Sequence, residues 1–271
     1  MLLTRHQTSA GARWALDSRF LPTTFTLPLL LTIPHSQLSD FLESLPRDQD
    51  ATGPVLPPIE VMQEVWACGV TYMRSREARE MESASADIYS KVYDAVRPEL
   101  FFKATGWRVV GDGEPVRIRH DSLWNVPEPE LTLVINAYME IVGYCCGNDV
   151  SSRDIEGQNP LYLPQAKIFN GSCALGPSLE LIPKASLESL PIELKILRDG
   201  NSVFEGDSNT AKMKRSLPEL VAFLGCELEF PQGVFLMTGT GIVPPDHFSL
   251  QVGDVVNIRV GGLSLTNPVA I

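Results

Sequence analysis

The sequence predicts an α+β protein, mainly β, with a small N-terminal domain over residues 1–60 and a β-rich catalytic domain over 61–271. Three observations carry this expectation. Short apolar runs recur, separated by turn residues such as Arg198-Asp199-Gly200-Asn201 and Gly261-Gly262. Long helices are few. A polar, breaker-rich stretch over 45–54, followed by Pro57-Pro58, marks a boundary near residue 60.

Residues 1 to about 45 alternate short apolar runs with polar breaks. The longest apolar stretch, 25–33, is interrupted by Pro28. It falls far short of the roughly 20 apolar residues of a membrane span. Asp17 lies upstream among arginines and no small-residue cleavage site follows, so a secretory signal is not expected. A buried element is expected there instead.

Beyond the boundary, 65–70 reads as a buried strand. Residues 74–95 are charged and rich in Ala and Ser, with Met81, Ile88 and Val92 as apolar punctuation. They read as a helix or a lid beside a site. A hairpin is expected from 107–110 and 115–119 around Gly111-Asp112-Gly113-Glu114, and two strands over 130–135 and 137–144. Hairpins are expected again over 192–204 and 255–265. Residues 216–225 read as a helix, with Leu217, Leu220, Val221 and Leu224 on one face and Pro218 in the first turn.

The formal net charge of -11 argues against nucleic acid as a partner. It leaves room for a small anionic substrate held by local Lys and Arg. The 5 cysteines are odd in number and show no CxxC spacing, which fits a reducing cytoplasm better than a disulfide framework. Adjacent Cys145 and Cys146 should face opposite sides of a strand. The 4 histidines are scattered, which disfavours a His-based zinc site.

The chemistry is expected from carboxylates. Glu128 and Glu130 are two apart in Pro127-Glu128-Pro129-Glu130-Leu131, and Pro129 pushes Glu128 toward extended backbone. Side chains at that spacing share a face. Asp149, after the next strand, could complete a set of oxygen donors for a hard divalent cation. Arg153, four residues on, could pair with Asp149 or grip a substrate carboxylate. Lys167 stands in an apolar setting before a turn, where burial would disfavour its charged form and suit it to proton transfer. Glu99, Phe101 and Lys103 should share one side of a strand. Thr238-Gly239-Thr240-Gly241 could offer N–H groups and hydroxyls to an anion.

Those segments, in this order and with Val252-Gly253-Asp254-Val255-Val256 near the end, resemble the fumarylacetoacetate hydrolase superfamily from about Trp66 to Ile271. The resemblance implies a β-roll after a smaller N-terminal domain, assembled as a homodimer or homotetramer. It implies Glu128, Glu130 and Asp149 as ligands of Mg²⁺ or Mn²⁺, Lys167 facing the substrate, and Arg153 and Thr240 at site positions. Hydrolytic members carry a Tyr-x-x-His-x-x-Glu arrangement. Here Tyr72 is followed by Ser75 in the His position and Ala78 in the Glu position. The run from Gly69-Val70-Thr71-Tyr72 through Arg97-Pro98-Glu99 resembles the dehydratase branch, which converts 2-keto-3-deoxy sugar acids to 2,5-dioxopentanoate. That implies a metal-dependent hydro-lyase with Lys167 and Glu99 moving protons, and Arg74, Ser75 and Lys103 holding substrate. The competing expectations are an acylpyruvate-type hydrolase or decarboxylase on the same metal centre, and a non-catalytic sugar-acid binder.

Overall fold

The computed structural model describes residues 1–82, 91–183 and 185–271, with side chains left aside for 79–82. A large mixed sheet runs in the order Arg19–Phe20, Gly11–Leu16, Leu2–Thr8, Ser178–Leu181, Ile141–Asp149, Pro129–Ile135, Val234–Met237, Glu64–Gly69, Glu99–Thr105. Its pairings are antiparallel except for Val234–Met237 beside Glu64–Gly69. After Glu99–Thr105 the chain turns back and bridges Val110 to Ala174. Ala174 lies in Cys173–Leu175, which pairs with Ile141–Asp149. The sheet therefore closes into a roll.

A five-stranded sheet covers one face of the roll, in the order Asn201–Asn209, Pro191–Arg198, Val255–Val260, Leu263–Ala270, Val116–Arg117. Strand alternation sorts the side chains into two cores. Leu131, Leu133, Cys146 and Leu236 face Leu194 and Ile258 of the second sheet. Val134, Cys145 and Met237 face the interior with Leu3, Leu16, Leu27 and Leu38. Cys145 and Cys146 thus lie on opposite faces, as expected, and the cysteines are free thiols.

The N-terminal segment shares this interior. Leu2–Thr8 pairs with Ser178–Leu181, and the apolar stretch after Phe25 forms the short helix Leu27–Leu30, capped by Thr26, with Leu27 and Leu30 buried and Leu29 exposed. Two sequence expectations change. The hairpin over 107–119 is absent: Gly106–Arg108 is a 3₁₀ turn with Trp107 exposed, and Val116–Arg117 pairs in parallel with Val269 and Ala270. Closing the roll takes the hydrogen bonds that a local hairpin would have used. The strand expected over 137–144 begins only at Ile141, because Asn136 draws 137–140 into a turn through Tyr138 and Glu140 N–H bonds. The last helix is Leu217–Leu224, with Ser216 as its N-cap. Of the lid expected over 74–95, Met73–Glu82 is helical and residues 83–90 lie outside the described residues. No helix among the described residues is long and apolar enough to cross a membrane.

Candidate active site

Along the interior face of the roll the side chains change from apolar to ionic toward one mouth. Val134, Thr132 and Glu130 succeed one another on their strand, as do Cys145, Gly147 and Asp149 on the next. Glu130 stands opposite Gly147, and Asp149 N–H donates to Glu128 O at 3.0 Å. Register alone therefore brings Glu128, Glu130 and Asp149 together. One carboxylate oxygen from each lies within 4.8 Å of the others, and all three residues are buried.

Three cations support this trio. Lys103 is fully buried: its ammonium pairs with Asp149 Oδ1 and donates to Lys167 O at 2.5 Å and Val150 O at 3.2 Å. Lys167 pairs with Glu128 Oε2 and donates to Asp149 Oδ2 at 3.0 Å. Arg153 bridges two carboxylates, Glu128 at 2.7 Å and Glu156 at 2.8 Å. Gly239 N–H donates to Glu130 Oε2 at 2.6 Å. The Thr238-Gly239 turn does serve an anion, but that anion is the protein's own carboxylate.

A cavity of about 20 Å³ opens above the trio, lined by Gly69, Val70, Ser75, Glu99, Phe101, Glu128, Glu130, Glu156, Lys167 and Thr240 among others. Among the described residues, Glu99, Glu128, Glu130, Asp149 and Glu156 gather here with Lys103, Lys167 and Arg153. Burial and neighbouring like charge both act on Glu130. Burial first, then the charges of Asp149 and Glu128, push its carboxyl well above the ordinary carboxylate range. A divalent cation would offset the like charges of the trio, and an all-oxygen donor set suits Mg²⁺ or Mn²⁺. The residues present fit such an ion.

The predicted site residues separate into two groups. Glu99, Ser75, Thr240 and Lys167 line the cavity. Arg74 does not; it lines a neighbouring cavity of about 560 Å³ with Tyr72, Glu77 and Lys212, which contains none of the trio. Lys103 was expected to hold substrate, but it lies beneath the trio with its ammonium spent on Asp149 and two carbonyls. Of the two expectations for Arg153, pairing with Asp149 or gripping a substrate carboxylate, the first is not what the fold gives. The helix starts only at Arg153, after the strand Ser151–Ser152, so the two residues do not share a helical face, and Arg153 turns to Glu128. Sequence reasoning missed Glu156, although its position three residues after Arg153 in a helical first turn was a usable signal. It also missed Gly69, whose bare Cα leaves room for the Glu99 carboxylate.

The Fumarylacetoacetate (FAA) hydrolase C-terminal family model matches residues 64–270. The chain belongs to this family, a class of metal-dependent enzymes. It is 46% identical to the probable 2-keto-3-deoxyxylonate dehydratase of Haloferax volcanii, over 82% of this chain and 75% of that protein. It is 45% identical to the 2-dehydro-3-deoxy-D-arabinonate dehydratase of Saccharolobus solfataricus, over 80% of this chain and 74% of that protein. The solved structure of 2-keto-3-deoxy-D-arabinonate dehydratase complexed with magnesium and 2,5-dioxopentanoate superposes with a TM-score of 0.85 at 37% identity, covering 99% of this chain and 98% of that one.

Proposed function

We propose that this chain is a Mg²⁺-dependent hydro-lyase that converts a 2-keto-3-deoxypentonate, of the arabinonate or xylonate type, to 2,5-dioxopentanoate and water. The single observation that supports this most is the buried acidic trio in a chain 45% and 46% identical to dehydratases of such acids.

Glu128, Glu130 and Asp149 would hold the cation, which when bound supplies a Lewis acid for the oxygens of a 2-keto acid. Loss of water from C4 needs a proton removed beside the ketone and a proton delivered to the departing hydroxyl. Lys167 and Glu99 line the cavity and are assigned these two tasks. Lys167 takes the C3 proton and Glu99 protonates the C4 hydroxyl, which leaves as water and gives the 5-hydroxy-2-oxo-3-ene. The same pair then removes a C5 proton and returns a proton to C3, and the resulting C4–C5 enol ketonises at C4 to 2,5-dioxopentanoate. Ser75 and Thr240, also lining the cavity, are assigned to substrate hydroxyls. Arg74, in the adjoining cavity, is assigned to the substrate's approach. Lys103 and Arg153 are assigned to hold the ligand carboxylates in place. The assembly proposed is a homodimer or homotetramer, and the compartment the cytoplasm, in keeping with five free thiols.

The test is purified protein with Mg²⁺ and 2-keto-3-deoxypentonate, with and without chelator. Semialdehyde formed only with metal is the expected result. Pyruvate or acetate released from an acylpyruvate, with no semialdehyde, would replace this reading with a hydrolase. Tight binding without turnover would replace it with a binder. Lys167→Ala is expected to lower kcat by about 100-fold or more, and near-full turnover would remove Lys167 from the mechanism.

A further inference from the structure

One short strap outside the acidic site, 213–215, holds both edges of the cavity wall. Met213 bridges Tyr72, and Lys214 N–H donates to Thr71 O at 3.0 Å. The side chains of the same strap reach the chain that leads into Glu99. Lys214 Nζ donates to Tyr93 O at 2.5 Å and Asp94 Oδ1 at 2.6 Å. Arg215 Nη1 donates to Val96 O at 3.1 Å, and its Nη2 donates to Ala95 O. The Lys214 ammonium also sits 4.2 Å from the Tyr93 ring centroid. What must be fixed is a run of carbonyl oxygens, and Lys and Arg are donors without acceptors. The planar guanidinium suits two successive carbonyls.

The wall has reason to need fastening. Val70 lines the cavity with φ of 53°, a left-handed conformation that a β-branched residue adopts only under strain. Val70 packs on Tyr93 in a small apolar cluster separate from the two main cores. Among the described residues, this small cluster is the apolar packing of the corner, and Tyr93 is the residue that Lys214 grips.

We propose that Lys214 and Arg215 are positioning residues that clasp Thr71-Tyr72 to Tyr93-Val96, and so set Val70 and Glu99 over the acidic trio. The kinetic consequence rests on the dehydratase reading; the structural one does not. The variants are Lys214→Met, Arg215→Gln and the double variant, in the full chain. Amide hydrogen exchange should quicken at 70–73 and 93–99 while 129–135 stays unchanged, and the Kd for Mn²⁺ should stay within about twofold. On 2-keto-3-deoxypentonate, kcat should fall about tenfold or more in the double variant. Unchanged exchange at 93–99 would overturn the clasp, whether or not the wild type turns over this substrate. So would Mn²⁺ affinity falling in step with kcat, because that marks general damage to the site. A wild type without turnover, with exchange still quickened in the variants, would sink the dehydratase reading and leave the clasp standing.

Discussion

The Glu99 carboxylate lies across the bare Cα of Gly69, its antiparallel partner, so a Cβ there would overlap Glu99 Oε2. Neither residue is remarkable alone. Paired across the sheet, the small residue sets where the acid can reach.

Gly69→Ala tests this relationship. Gly69 does not have a positive φ, so alanine fits the backbone, and the nearest atoms its Cβ meets are those of the Glu99 side chain. We expect kcat to drop about 10- to 100-fold, roughly 1.4–2.7 kcal/mol, with Mn²⁺ affinity unchanged. Wild-type kcat in a folded variant would detach Glu99 from the chemistry.

Lys103→Met removes the cation beneath Asp149 and strips a donor from Val150 O and Lys167 O. Breaking a buried ion pair costs about 3–5 kcal/mol. The metal-free melting temperature should fall sharply, and saturating Mg²⁺ should restore part of it. A variant as stable as wild type in chelator would show that Lys103 does not support Asp149.

Arg153→Lys keeps the charge but loses the fork that spans Glu128 and Glu156. Partners that orient metal ligands are worth about 10- to 100-fold in metal affinity. Mn²⁺ titration calorimetry should show a loss in that range. An unchanged Kd would make the bridge structural only.

Glu130 should contribute a pH dependence to the stability of the metal-free protein. Its carboxyl is raised by burial and by the charges of Asp149 and Glu128, so the folded state keeps a proton that the unfolded chain releases. Stability is therefore lost as pH rises from the ordinary carboxylate range toward the raised value. Mg²⁺ favours the ionised form, so its stabilising effect should grow over the same window. Melting curves with and without chelator test this. Glu130→Gln should flatten the metal-free slope, and an equally steep slope in that variant would assign it to another group.

Much of the site was legible because its residues are local in the chain. Glu128 and Glu130 share a face by strand period, and Asp149 ends the neighbouring strand. What pairs with what was not legible. Arg153 reaches Glu128, 25 residues earlier, because a two-residue strand intervenes after Asp149. The 107–119 hairpin failed for the same reason: Val110 closes the roll against Ala174, a pairing no local turn signal announces.

By itself the sequence determined the β-rich class, the acidic residues and their order along the chain, because strand alternation and turn chemistry act over a few residues. Only the tertiary structure decided which charges meet. It paired Lys103 with Asp149, and it seated Glu156 and Glu99 at one cavity. The physical reason is burial. Once the roll closes, each charge drawn from water must find a partner among whichever residues the closure brings near, however distant in sequence.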